Sequence, residues 1–167
     1  MTDSSADLNP ALEQELGVDI IPLSVNCGDR TFLDYPDERE IKTSEFYGML
    51  RSGANAKTAA ANVETFLTAM SRHLEQGKDV LYLGFSSGLS STYHVSTLVA
   101  DELSKKYPDS KIYCVDTLAA SMGEGLLVYL SALQKQAGKS IEEVRDFAEN
   151  NKLKLCHWFT VDDLNHL

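Results

Sequence analysis

Two short apolar runs, DVLYLGF and KIYCVD, stand at residues 79–85 and 111–116, with the long amphipathic stretch STYHVSTLVADELSKKY between them. No other feature narrows the fold as much. Runs of this length suit buried strands, and a helix-length stretch between them suits a crossover that lays the two strands parallel. The alternation continues on both sides. Upstream, Val63, Phe66, Leu67, Met70 and Leu74 recur at helical spacing between about residues 62 and 76, with Asn62 as cap and Gly77 as stop. Downstream, SMGEGLLVYLSALQKQAG and SIEEVRDFAENN read as helices and KLCHWFTV as a further strand, with Trp158 in its core-packed part. The expected fold is therefore α/β, a layered sheet with parallel strands flanked by helices and joined by right-handed crossovers.

The N-terminal third is less regular. Asn9 and Pro10 open a short helix, PALEQEL, that Gly17 ends. VDIIPLSVN reads as one strand with Ile21, Leu23 and Val25 on a common face, and Pro22 marks an edge or an irregularity in it. CGDRTFL reads as a tight turn into a second strand, and LDYPDEREI, Arg39 included, as a solvated loop. In TSEFYGMLRSG, Thr43 is the expected cap, Phe46, Met49 and Leu50 form one stripe, and Gly53 is the stop.

Composition excludes several function classes. The 167 residues suit one compact domain. Against 25 Asp and Glu stand 15 Lys and Arg, a net charge of −10, and no basic stripe is visible that would displace counterions from a nucleic acid. No run approaches the ~20 apolar residues of a membrane span. MTDSSADL has neither the basic nor the apolar part of a secretory signal. Cys27, Cys114 and Cys156 are odd in number and widely spaced, as suits reduced thiols. A cytoplasmic protein without metal or cofactor is expected.

The chemistry-bearing stretch is GFSSGLSSTY, residues 84–93. Gly84, Ser86 and Gly88 fit the G-x-S-x-G pattern of a hydrolase nucleophile elbow. An esterase would need a base and an acid for Ser86, with His157 or His166 and Asp116, Asp162 or Asp163 as downstream candidates. An elbow turns into helix directly after its nucleophile, however, and here Leu89, Ser90, Ser91 and Thr92 prolong the loop. The other reading is a hydroxyl-rich helix N-terminus that grips an anion such as a carboxylate. The plainest is that Ser90 merely caps the helix. Thr58, in AKTAAANVETF, would reach the same pocket if the helices that follow the two loops lie side by side. His94 and Glu124 read as surface or capping residues.

Taken together, TDSSADL (2–8), IIPLSV (20–25), KT (57–58), SSGLSSTY (86–93), VDTLAASMGEGLLV (115–128) and FTVDDLNHL (159–167) resemble the DegV family of bacterial fatty-acid-binding proteins. The ordered set is specific, although each piece alone is modest. The resemblance implies a protein that buries a long-chain fatty acid between two domains. Its carboxylate is held chiefly by Thr58 and Ser90, with Ser86 and Ser87 assisting. It also implies a carrier that offers the bound acid to a fatty acid kinase and does not itself catalyse the phosphoryl transfer.

Residues 1–167 are then expected to be a DegV-type fatty-acid-binding domain lacking the family's first strand and its second domain. Ala59, Ala60 and Ala61 stand where the family loop carries two polar residues and a proline. Two alternatives remain: a serine esterase using Ser86, and a truncated remnant that binds nothing.

Overall fold

The computed structural model describes residues 1–160. Its first half runs β1 (Thr2–Asp3), a 3-10 turn (Ser4–Ala6), α1 (Pro10–Leu16), β2 (Ile20–Ile21), β3 (Ser24–Cys27), β4 (Arg30–Leu33) and α2 (Thr43–Arg51). Then follow β5 (Ala56–Ala59), α3 (Val63–Leu74), β6 (Val80–Gly84), α4 (Thr92–Lys106), β7 (Ile112–Asp116), α5 (Ser121–Gln136) and α6 (Ile141–Asn151).

Parallel pairing organises the centre. β1 pairs with β2 through Thr2↔Ile20 and Asp3↔Ile21, and β6 pairs with β7 from Val80↔Ile112 to Gly84↔Asp116. Met1 joins the two pairs: its amino group donates to the Leu81 carbonyl at 2.8 Å, and its carbonyl accepts from the Leu83 amide at 3.0 Å. The strands therefore lie side by side as β2-β1-β6-β7. The chain leaves β1 on one side for β2 and returns on the other with β6. The crevice beyond the C-terminal ends of β1 and β6 is thus the topological switch point, where open parallel sheets bind their ligands.

Strand periodicity divides the core into two layers. Ile21, Val80 and Tyr82 face Phe66, Met70 and Leu74 of α3 and Val99 and Leu103 of α4. Leu83 and Val115 face the opposite way, onto Ala6, Leu127 and Val128 of α5 and Ala148 of α6. Tyr82 and Phe66 meet edge to face with ring centroids 5.1 Å apart, a favoured aromatic geometry. The expected α/β layering is present, with helices on both faces of parallel strands.

The expected caps at Asn9 and Asn62 accept from Leu12 and Thr65 amides. Elsewhere the structure corrects the reading. VDIIPLSVN is two strands, because Pro22 has no N–H to continue the ladder. β2 stays in the parallel sheet, while β3 enters a separate antiparallel sheet of order β4-β3-β5. Thr43 is the first residue of α2 and not its cap; Lys42 precedes the helix without a side-chain cap bond, and the Thr43 hydroxyl donates to Glu38. The KT segment is strand β5, with Thr58 opposite Val25.

KLCHWFTV forms no strand among the described residues. Lys152–Lys154 make a 3-10 turn, residues 155–160 have no regular structure, and Trp158 is 91% exposed. An apolar run becomes a strand only where a neighbour supplies its ladder, and no described strand pairs with this one. Val161 and DDLNHL lie outside the described residues.

One close approach sets the geometry on the α5 side. An added Cβ on Gly125 would stand 2.3 Å from the Ala6 carbonyl oxygen, so only glycine lets α5 lie against the 3-10 turn. Gly125→Ala is expected to lower unfolding free energy by about 2 kcal/mol through overpacking against backbone. Urea unfolding measures this, and a loss under about 0.5 kcal/mol, an ordinary surface effect, would contradict the contact.

Candidate functional site

Three chain segments meet at the C-terminal edge of the parallel sheet: the turn after β1, the serine loop after β6, and the turn after β7. Asp3 fastens the first to the second. Its Oδ2 accepts from the Tyr82 hydroxyl at 2.5 Å and from the Phe85 amide at 3.0 Å, and its Oδ1 accepts from the Ser5 amide at 3.1 Å and from the Ser5 hydroxyl. Burial, with the Asp3 carboxyl second, pushes the Tyr82 hydroxyl well above its usual pKa, so it stays a donor.

The third segment is fastened to the second with equal density. The Thr117 amide and hydroxyl both donate to the Gly84 carbonyl, at 3.1 and 2.8 Å, and the Ser86 amide donates to Ala119 at 3.0 Å. Asp116 Oδ1 accepts from the Ser87 and Leu118 amides, each at 3.1 Å. Leu118 sits at φ 55 and Ser121 at φ 51, left-handed conformations that side chains disfavour. Such conformations persist where surrounding bonds over-determine them, and they gather at ligand sites.

Within the serine loop the hydroxyls are used sparingly. Ser86 is buried, and its Oγ accepts from the Gly88 amide at 3.3 Å. A hydroxyl that only accepts keeps its own proton to give. Ser90 Oγ accepts from the Thr92 amide at 3.2 Å and lies 2.8 Å from the buried Thr92 hydroxyl. With Thr92 donating, the Ser90 proton also points elsewhere.

Helix α4 begins here with no side-chain cap on Ser91. Its ladder opens with Val95 donating to Ser91, and the Tyr93 and His94 amides have no partner among the described residues. Free amides, free hydroxyl protons and the positive end of a 15-residue helix together form an anion cradle. Beside it Leu89, Leu118 and Met122 are exposed, Leu89 and Met122 by more than two-thirds of their surface at 68% and 69%.

Ser86, Ser87 and Ser90 are thus brought together. Thr58 is placed separately, exposed on β5 with no hydrogen bond to the serine loop among the described residues. It lies on β5, five residues before the start of α3. α3 packs beside α4 and leads through Gly77 into the start of β6, so both helices begin at the C-terminal edge of the sheet. Among the described residues no base or acid is hydrogen-bonded to Ser86: its Oγ has the Gly88 amide as its partner, and Asp116 is engaged by backbone amides. His157 packs over Gly123, while Asp162, Asp163 and His166 lie outside the described residues. His94 is exposed, as expected.

Glu124 corrects the reading most. It was expected at the surface or in a cap, and it is fully buried. Thr2 donates to its Oε1 at 3.1 Å and Ser5 Oγ lies 3.1 Å from its Oε2. Burial first, then the neighbouring Asp3, pushes its carboxyl up to about 9. The available signal was an acid between two glycines at the head of an otherwise apolar helix, GEGLLVYL.

The chain has clear counterparts. A family model for uncharacterised proteins of the DegV family matches residues 1–167. A DegV domain-containing protein of Clostridium perfringens is 44% identical over 166 residues, and the match covers 99% of this chain and 57% of that protein. Among solved structures, a fatty-acid-binding DegV family protein from Thermus thermophilus superposes with a TM-score of 0.79 at 32% identity, covering 91% of this chain and 52% of the other. A Thermotoga maritima protein whose structure revealed a fatty acid binding function gives 0.76 at 32% identity, over 90% and 53%. The chain therefore spans little more than half the length of these relatives.

If Asp116 holds the loop, Asp116→Ala should free two amides at about 1 kcal/mol each. Hydrogen exchange at Ser87 and Leu118 is expected to speed up about fivefold or more. Unchanged protection at both amides would show that the loop is shaped without this carboxylate.

Proposed function

The chain belongs to the DegV family, and from that premise we propose that it binds a long-chain fatty acid non-covalently, by its carboxylate, at the serine loop. The observation that carries this reading is the cradle itself: the Ser86 hydroxyl with its proton to give, and the Ser90 hydroxyl likewise when Thr92 donates to it, beside the start of α4, whose Tyr93 and His94 amides have no partner among the described residues. A carboxylate accepts several such bonds without a cation. Ser90 is the principal ligand, Ser87 and Ser86 assist, and Thr58 closes the site from β5. The fatty-acid-binding DegV relatives at 32% identity support the choice of ligand.

Energetics divides the work. Each buried CH₂ of the tail contributes roughly 0.8 kcal/mol, so a long chain outweighs the head group, whose bonds mainly fix position at about 1 kcal/mol each. Exposed Leu89, Leu118 and Met122 offer the first part of the tail an apolar wall. The protein acts as a carrier and not as a catalyst, and the family resemblance makes a fatty acid kinase the partner to which the acid is offered. Among the described residues no helix is long and apolar enough to cross a membrane. Three free thiols suit the cytoplasmic setting we infer.

Organic extraction of the purified protein followed by mass spectrometry tests the reading. Near-stoichiometric fatty acid is expected, and Ser90→Ala should weaken binding roughly 5- to 30-fold, the worth of about 1–2 kcal/mol. A chain that neither retains nor takes up fatty acid would refute the proposal. Labelling of Ser86 by a fluorophosphonate probe would replace it with the esterase.

A further inference from the structure

Under the serine loop lies a chain of hydrogen bonds whose protons can be counted. Ser5 Oγ stands within hydrogen-bond reach of two carboxyl groups, Asp3 Oδ1 on one side and Glu124 Oε2 at 3.1 Å on the other. A hydroxyl has a single proton. It can donate to one carboxyl only, and the other contact is a hydrogen bond only if that carboxyl is itself a protonated donor. Asp3 receives from the Tyr82 hydroxyl, the Phe85 amide and the Ser5 amide, so its oxygens are surrounded by donors and it is the acceptor. Glu124 Oε1 receives from the Thr2 hydroxyl, which leaves Oε2 to carry the proton. The order is then fixed: Thr2 to Glu124, Glu124 to Ser5, Ser5 to Asp3, with Asp3 holding Phe85, the residue next to Ser86.

We propose that Glu124 is a positioning residue for the serine loop, a buried carboxylic acid that donates to Ser5 and thereby directs the Ser5 proton to Asp3, which fixes the Phe85 amide. Its consequence for lipid rests on the fatty-acid reading above; the proton order does not. The close approach of α5 to the 3-10 turn at Gly125 is what brings the acid onto Ser5. Facing it are Asp3 and Asp7, the Thr2 and Ser5 hydroxyls, and, through Asp3, the Tyr82 hydroxyl of β6. Ionised Glu124 would put a second negative charge against Asp3 and reverse its bond to Ser5, so the Asp3 anchor would lose a donor.

The sign of the pH dependence follows from burial. Glu124 keeps its proton in the folded chain up to about 9, whereas the unfolded chain releases it near 4.5. Across that window the folded state binds one more proton, so stability falls as pH rises, about tenfold in the folding constant per pH unit. Glu124→Gln keeps a donor toward Ser5 and an acceptor for Thr2 but does not titrate. Its folding constant relative to wild type should therefore climb about tenfold per pH unit over the same window.

The experiment compares wild type, E124Q and E124L by three readouts. Wild type at neutral pH should show the infrared carbonyl band of a protonated carboxylic acid, and E124Q should lack it. Hydrogen exchange of the Phe85 amide should accelerate in E124L by on the order of tenfold, the loss of one hydrogen bond, and E124Q should restore most of the protection. Fatty-acid titration should follow the same order. No acid band in wild type, a Gln variant no better than Leu, or an E124L chain with Phe85 as protected as in wild type would each overturn the proposal. If E124L does not fold, the band and the pH slope of wild type against E124Q decide alone. A wild type that binds no fatty acid but shows the band, the slope and the Phe85 effect would sink the fatty-acid reading and leave the proton order standing.

Discussion

The carboxylate of Asp3 is where the structure is tied together. It ends the two-residue strand β1, yet it receives donors from the 3-10 turn, from the floor of β6 and from the start of the serine loop. A buried carboxyl is costly unless its oxygens are filled. The groups that fill them belong to the segments that must converge for a site to exist. The switch point of the sheet is in this sense held by one side chain, with Thr117 and Asp116 closing the far side of the loop.

That arrangement gives a polar cluster a purpose beneath the proposed fatty-acid site. Loop hydroxyls can position a carboxylate only if they do not spend their protons on one another. Here the supporting bonds are supplied from below and behind, by Asp3, Asp116 and Thr117, so Ser86 and Ser90 accept from backbone; Ser86 retains its proton, and Ser90 does so when the Thr92 hydroxyl donates to it. Helix α4 contributes amides that no side chain claims. Affinity would then come from burying the tail, and orientation from the cradle.

Much of this was legible in the residues. The strand runs around Tyr82 and Cys114, the helices between and after them, and the caps at Asn9 and Asn62 follow from local rules, because periodicity and capping depend on neighbours within a few positions. The serine loop was visible for the same reason. Missed features depended on distant partners. Pro22 signalled an irregularity but not that the two halves of its strand would join different sheets. The last apolar run was read as a strand, and no described strand offers it a ladder. Glu124 looked like a surface residue because nothing local shows that Gly125 draws its helix against Ala6.

By itself, then, the sequence determined the α/β alternation, the position of a hydroxyl-rich helix N-terminus, and the family. These depend on short-range spacing and on an ordered set of motifs. Only the tertiary structure decided that the loops after β1, β6 and β7 share one edge, that Asp3 binds two of them together, and that Glu124 lies buried next to it. Strand order and burial are settled by contacts between residues as far apart as Thr2 and Glu124. The free energy of a buried carboxyl depends on what surrounds it, which no local pattern along the chain encodes.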